Sequence, residues 1–413
     1  MTIMRKLIVG TVFVAMTLGI PGLAFYAGHR LTYLRLRKQP WQVPSLVAQQ
    51  VQRWQQNQTL AGAYALAGVP VDGVEACYYE APDLSRVLWC GPDMPTPFVG
   101  YAPQPGQYPG GSITADQFRW DRKLRRPKPD GVCRIFLVGG STAYGAGASS
   151  NARTIAGYLE RYLAQACTEP LPPTHRHGGS PPSPPSSRFD LRRFREVEVI
   201  TLACSGWTST HERIAVENRL WELEPDFVIS LSGHNDAFFG SFGKNILWCR
   251  GFQDDHFCLL LNSVLHCNFD AGFPAEDPGR EPGIAAETMA RRLRHNVRLA
   301  CTALEPTGAS YVWALQPILA ASQKPLTPRE RRMAARADQA RLLPIYDAFR
   351  SSLHTLSLDN FVFLDLTDVF DALDGHTDVF LDGCHFGDRG NDWIARALAQ
   401  RLFGVSCPAG SPR

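Results

Sequence analysis

Four short polar blocks carry the residues that could do chemistry: Gly140-Ser141, Ala203-Cys204-Ser205-Gly206, Gly233-His234-Asn235-Asp236 and Asp382-Gly383-Cys384-His385. The first is the sharpest. Cys133 to Val138 is a nearly all-apolar run that ends abruptly in Gly139-Gly140-Ser141. Two glycines let the backbone turn as it leaves a strand and leave the next side chain unobstructed. A serine just past the C-terminal end of a parallel strand, on the way into a helix, sits where open α/β sheets put their chemistry. Ser141 is therefore read as a nucleophile. Each block alone is weak, because Gly-x-Asn-Asp is a common turn and a lone histidine near a helix start is more often a cap than a base. Their joint occurrence in this order, at matching strand ends, is far less expected by chance.

The elements that must position these blocks follow from periodicity. From about Gly131, strands are predicted over 134–138, 197–202, 227–231, 310–315 and 361–364. Helices are predicted over 154–167, from 209 to about 224, and over 287–304, 329–355 and 391–403, with Pro344 breaking the fourth. Ile155, Leu159, Tyr162, Leu163 and Ala166 give the first helix one apolar face. Ser209-Thr210-His211-Glu212 reads as a capping box that leaves His211 exposed. Arg401 falls in register with the apolar face of the last helix and would have to snorkel. Crossovers of this length imply a five-stranded parallel sheet covered on both faces, with the loops after its strands gathered at one edge.

Outside that body the composition changes. Residues 1–30 are read as an N-terminal anchor, because Leu7 to Ala27 is apolar, free of charge and about long enough to span a bilayer. Ala24-Phe25-Tyr26-Ala27 is too bulky for a clean signal-peptidase site. Residues 31–130 are read as a helical stalk (43–67) followed by a small β and loop extension, with 113–129 a polar connector. The catalytic body spans 131–404 and a tail 405–413. Within the body, 168–188 is a Pro-rich loop that cannot bury a core, and 238–283 is an aromatic insertion expected to stand over the site as a lid. The net charge of +3, with no basic run interleaved with aromatics, excludes nucleic acid as the expected partner. The 11 cysteines, with Cys77 and Cys90 flanking one segment and Cys249, Cys258 and Cys267 closely spaced, suit disulfides in an oxidising compartment. Arg30, Arg35, Arg37 and Lys38 argue the other way by the positive-inside rule. The balance favours a single-pass membrane protein with an extracytoplasmic body.

The four blocks resemble those of the SGNH, or GDSL-type, hydrolases, over about residues 131–404. The resemblance implies a flavodoxin-like three-layer α/β/α sandwich. It implies that Ser141 is the nucleophile, His385 the base and Asp382 the residue that orients it. It also implies that Gly206 contributes a backbone amide, and Asn235 a side-chain amide, to an oxyanion hole completed by the Ser141 N–H. Many family members have Asp before the serine, where this chain has Gly140. The Gly-Gly-Ser form, Gln316-Pro317 and Leu326-Thr327-x-x-Glu330 are similar to a membrane-tethered bacterial branch. The chemistry is coherent. A serine hydroxyl needs a base to become a nucleophile, and an imidazole titrates near neutrality. A carboxylate stabilises the imidazolium that forms, and one oxyanion donor is worth about 3–4 kcal/mol of barrier.

The expected activity is thus hydrolysis of an acyl ester through an acyl-enzyme, with O-acyl groups on glycans or lipid acyl esters as substrates. Two alternatives stand beside it: an O-acyltransferase with the same triad, and a catalytically silent domain that binds an envelope polymer or partner. No cofactor or metal is assigned. Gly140-x-x-x-x-Gly145 lacks the Lys and Ser/Thr of a phosphate loop. His175, His177, Asp254, Asp255 and His256 lack a full ligand set at suitable spacing. His234 is read as a turn residue or a support behind the site rather than a base, and Asp236 as support for the loop backbone through an Asx-type turn.

Overall fold

The computed structural model describes Gln56 and residues 58–168, 189–243, 283–336 and 339–407. Nine strands fall among these residues. Strands β1 (Asp93–Thr96) and β2 (Gly100–Pro103) pair antiparallel, as do β3 (Gly106–Tyr108) and β4 (Gly111–Ile113). The remaining five are β5 (Val132–Gly139), β6 (Glu196–Ala203), β7 (Phe227–Ser232), β8 (Ser310–Leu315) and β9 (Phe361–Asp365). They form one all-parallel sheet in the order β6-β5-β7-β8-β9. Parallel strands buried on both faces read as continuous apolar runs, and Phe227 to Ser232 is buried at every position.

The helices are α1 (Leu60–Ala67), α2 (Ser141–Tyr144), α3 (Ile155–Thr168), α4 (Ser209–Asn218), α5 (His234–Ser241), α6 (Ala286–Leu304), α7 (Pro328–Arg336), α8 (Leu343–His354) and α9 (Asp388–Phe403). Successive side chains of a strand point to opposite faces. Phe136 and Val138 of β5 therefore join the core under α4, α6 and α8, while Ile135 and Leu137 join the core under α3 and α9. The result is a three-layer α/β/α sandwich. Its strand order reverses between β5 and β7, so the loops after those two strands part at the C-terminal edge of the sheet, where such sheets place their ligands.

Several local expectations change. The cap of α4 is Thr208 rather than Ser209, with His211 rather than Glu212 as its reciprocal partner. The reason is that Ser209 and Glu212 are drawn inward: Ser209 Oγ donates to Asp236, and Glu212 accepts from Ser230 and Ser232. His211 is buried rather than exposed, stacked on Trp207. Burial lowers its pKa to about 4. Asp236 does not close an Asx turn of its own; it accepts from the Ser209 backbone and hydroxyl and ties α5 to α4. Pro344 lies in the first turn of α8, where its missing N–H has no helical partner to lose. Arg401 reaches Asp368 at 2.8 Å.

The polar connector is also packed. Phe118, Trp120 and Leu124 are buried in the sheet core, and the Arg119 N–H donates to Thr201 O of β6 at 3.0 Å. An open edge strand needs a cover, and this segment supplies one. The described part of the predicted stalk, α1, packs Leu60 and Tyr64 against Cys77, Tyr78, Val87 and Leu381. Cys77 and Cys90 are free thiols, as are all eight cysteines of the described residues. No helix of the described residues is long and apolar enough to cross a membrane. The anchor (1–30), the Pro-rich loop and nearly all of the lid-like insertion lie outside the described residues, as do Cys249, Cys258 and Cys267.

Candidate active site

The residues read from the sequence converge at that edge of the sheet. Strand β5 delivers Ser141 as the first residue of α2. Its one turn is closed by Gly145 N–H and Ala146 N–H, both donating to Ser141 O at 3.1 and 2.9 Å. The segment before α9 delivers Asp382 and His385. Ser141 Oγ and His385 Nε2 are 2.7 Å apart, and His385 Nδ1 and Asp382 Oδ2 are 2.7 Å apart. Both distances are hydrogen-bond distances, so hydroxyl, imidazole and carboxylate form one chain. Asp382 Oδ1 accepts from the backbone N–H groups of Cys384 and His385 at 2.9 and 2.8 Å. These bonds fix the carboxylate before it meets the ring.

The electrostatics follow from that geometry. Desolvation opposes charge on Asp382, but His385 and the two N–H donors outweigh it and hold the carboxyl well below the usual range. Desolvation likewise opposes charge on His385, but Asp382, with Cys384 beside it, outweighs it and raises the imidazole above its ordinary value.

The second and third blocks pack beside Gly139 and Gly140, the residues that lead into Ser141: the Cys204 N–H donates to Gly139 O, and Trp207 O and Asn235 Nδ2 crowd Gly140. Asn235 is the second residue of α5, and its Nδ2 donates to Trp207 O at 2.7 Å, which commits one of the two amide hydrogens. The other block places Gly206 in a turn at φ +78°, a left-handed conformation that favours glycine. Gly140, where the family resemblance expects Asp, has a steric reason: a Cβ there would sit 2.3 Å from Asn235 Nδ2. The absent side chain is the space the amide occupies. Among the described residues, neither the Ser141 N–H nor the Gly206 N–H has a protein acceptor. Those two donors and the remaining Asn235 hydrogen are what an oxyanion beside Ser141 would require.

Several residues of the site were not visible in the sequence. The Trp89 ring lies over His385, centroids 4.7 Å apart and planes at 57°. Tyr101 Oη donates to Ser205 O at 3.1 Å, and Trp207 Nε1 donates to Tyr101 O at 3.0 Å. Arg119, 3% exposed, donates to Tyr144 O and Gly145 O at 3.1 and 2.8 Å, the carbonyls that end the nucleophile helix. Trp89, Tyr101 and Arg119 come from the extension before residue 131. Gln316 Nε2 donates to Thr142 Oγ1, which donates to Cys384 O at 3.0 Å, so α2 is linked to the histidine loop. Glu330 and Thr327 form the reciprocal cap of α7, and Glu330 also pairs with the buried Lys324 at 2.6 Å. Only Gln316, Thr327 and Glu330 carried a signal in the sequence, through the resemblance. Trp89, Tyr101 and Arg119 sit in segments with no helical or strand period to mark an inward face.

No protein-family profile matches the chain, and no curated protein matches it. Among solved structures it is similar to LAE5, an alpha/beta hydrolase enzyme from the metagenome of Lake Arreo, Spain, at 16% identity over 65% of this chain and 94% of that one, TM-score 0.38. It is similar to a candidate GDSL-like lipase from Parabacteroides merdae, at 19% identity over 69% of this chain and 100% of that one, TM-score 0.38. It is also similar to Axe2, an acetylxylan esterase from Geobacillus stearothermophilus, at 14% identity over 66% and 96% of the two chains, TM-score 0.34. At this level of likeness, the chemistry has to be read from the residues themselves.

Proposed function

We propose that this protein is a serine esterase of the SGNH type that works through an acyl-enzyme. The observation that carries the reading is the unbroken chain Ser141 Oγ–His385 Nε2, His385 Nδ1–Asp382 Oδ2, each link 2.7 Å. His385 takes the Ser141 proton as Oγ attacks the ester carbonyl, and Asp382 stabilises the imidazolium. The oxyanion meets the Ser141 and Gly206 N–H groups and the Asn235 amide. His385 returns the proton to the departing alcohol. Water, activated by the same ring, then releases the acid. Substrates are acyl esters, with O-acyl groups on glycans and lipid acyl esters the two classes to test. A sugar hydroxyl in place of water would make the same site an O-acyltransferase, which product analysis with and without a glycan acceptor separates.

The test is fluorophosphonate labelling of the full chain, comparing wild type with Ser141→Ala and His385→Ala. The expected result is an adduct on the peptide containing Ser141, absent in the first variant and much slowed in the second. A well-folded wild type that takes no label would overturn the reading and favour a silent binding domain. Membrane attachment through residues 1–30, with the body extracytoplasmic, belongs to the same proposal and rests on the uncharged run Leu7–Ala27. An alkaline phosphatase fusion after Arg413 that shows no activity would sink it.

A further inference from the structure

The Cys384 thiol has no place in the acyl-transfer scheme, yet it lies beside the imidazole on which that scheme depends. Its Sγ is 3.5 Å from His385 Nδ1, the same nitrogen that meets Asp382 Oδ2 at 2.7 Å. The three candidate ligand atoms, from Asp382, Cys384 and His385, all lie within 4.8 Å of one another. The thiol is not in a disulfide. One thiol, one carboxylate and one imidazole, with a fourth position open to water, is a donor set suited to a thiophilic divalent cation.

The spacing agrees with that chemistry. Tetrahedral zinc with bonds of about 2.3 Å to sulfur and about 2.0 Å to nitrogen and oxygen sets ligand atoms roughly 3.3–3.6 Å apart. The sulfur–nitrogen distance already has this value, and the carboxylate need only retreat by about half an ångström. The Asp382 side chain is 41% exposed and that of His385 15%, so a cation can reach the cluster from solvent.

We propose that Asp382, Cys384 and His385 form an inhibitory binding site for a zinc-type cation. Coordination replaces the S–H proton, which leaves to solvent. It also takes the Nδ1 lone pair, so the proton held on Nδ1 moves to Nε2. His385 then presents N–H to Ser141 Oγ and can no longer accept its proton. The metal therefore switches the base off through its tautomer, without touching Ser141. The inhibitory half rests on the esterase reading above; the binding half does not.

The experiment uses the full chain stripped of metal. Titration with Co²⁺ is expected to give a thiolate-to-metal charge-transfer band in wild type and in Ser141→Ala, and none in Cys384→Ala or Cys384→Ser. The two variants guard against one failing to fold, checked by thermal melts. Zn²⁺ is expected to slow fluorophosphonate labelling of Ser141 by about tenfold or more, reversibly with chelator. The zinc concentration needed should rise by about tenfold or more without the thiol. A wild type with no band, or a band unchanged by loss of Cys384, overturns the site. A band without slowed labelling overturns the inhibition. If metal-free wild type takes no label at all, the esterase reading fails, while the cobalt spectra still decide the metal site.

Discussion

The indole of Trp89 lies over the imidazole of His385, with ring centroids 4.7 Å apart and planes at 57°. The two come from opposite ends of the chain, and the contact makes a residue of the N-terminal extension a wall of the base. Such a wall keeps the ring from rotating away from Ser141 and Asp382, and its π face is attractive to the imidazolium that forms in the reaction. Trp89→Ala is expected to lower kcat by about tenfold or more, with a smaller change in KM. Trp89→Phe should restore most of the loss. Steady-state kinetics on an activated acetyl ester check this, and equal losses in both variants would show that the aromatic face is not what matters.

Gly140 offers a steric test of the oxyanion hole. A methyl group there would sit 2.3 Å from Asn235 Nδ2, so Gly140→Ala must displace the amide. Asn235→Ala removes it outright. Both are expected to lower kcat by about 10²–10³-fold, the usual effect of losing one oxyanion donor. The double variant should be little worse than either single. Additive losses in the double-mutant cycle would mean that Gly140 acts elsewhere.

The Asp382–His385 pair fixes a pH dependence. Asp382 raises the His385 pKa above its ordinary value, and only the neutral ring can accept the Ser141 proton. The rise of kcat/KM with pH should therefore occur above the usual imidazole range. Asp382→Asn removes the counter-charge, so that rise should shift to lower pH, and kcat should fall by about 10⁴-fold. A pH–rate profile with an unmoved acid limb in the Asn variant would contradict the assignment.

Glu212 gives a stability test with a definite sign. It is fully buried, and desolvation first, then the Asp236 charge, raises its pKa to about 8. The folded state thus holds a proton that the unfolded chain, with a Glu pKa of about 4.3, has released. That stabilisation is complete below about pH 4.3 and is lost as pH rises through about 8. Chemical denaturation across pH 5–9 should show wild type losing stability relative to Glu212→Gln, with a slope of up to about 1.4 kcal/mol per pH unit. Parallel curves would mean that Glu212 is charged in the folded protein throughout.

The sheet and three of its polar blocks were legible because parallel strands buried on both faces leave long apolar runs, and β5, β6 and β7 each end at a block, whereas the fourth block lies in the segment before α9. Ser141, Asp382 and His385 could be paired in advance only through the family resemblance, since nothing local relates Gly140-Ser141 to a histidine 244 positions away. What the sequence hid is mostly the extension. Arg119 looks like one charge in a polar connector, yet it is buried and donates to carbonyls of the nucleophile helix. Its inward turn depends on the open edge of β6, which is a property of the finished sheet. His211 was misread for a related reason, because a capping pattern reports local hydrogen bonding and not which face meets Tyr101 and Trp207.

The contacts of the extension also set a schedule. Tyr64 Oη donates to Leu381 O at 2.5 Å across 317 positions, and Cys77 reaches Phe380 O across 303. A ribosome adding roughly 5–20 residues per second makes the first of these partners wait roughly 15–60 s for the other. Through that interval the serine has been made but its base and the brace on that base have not met. On the proposed function, the chain would therefore be inert for as long as it is being synthesised, and one that stops short of His385 would never have a base for Ser141.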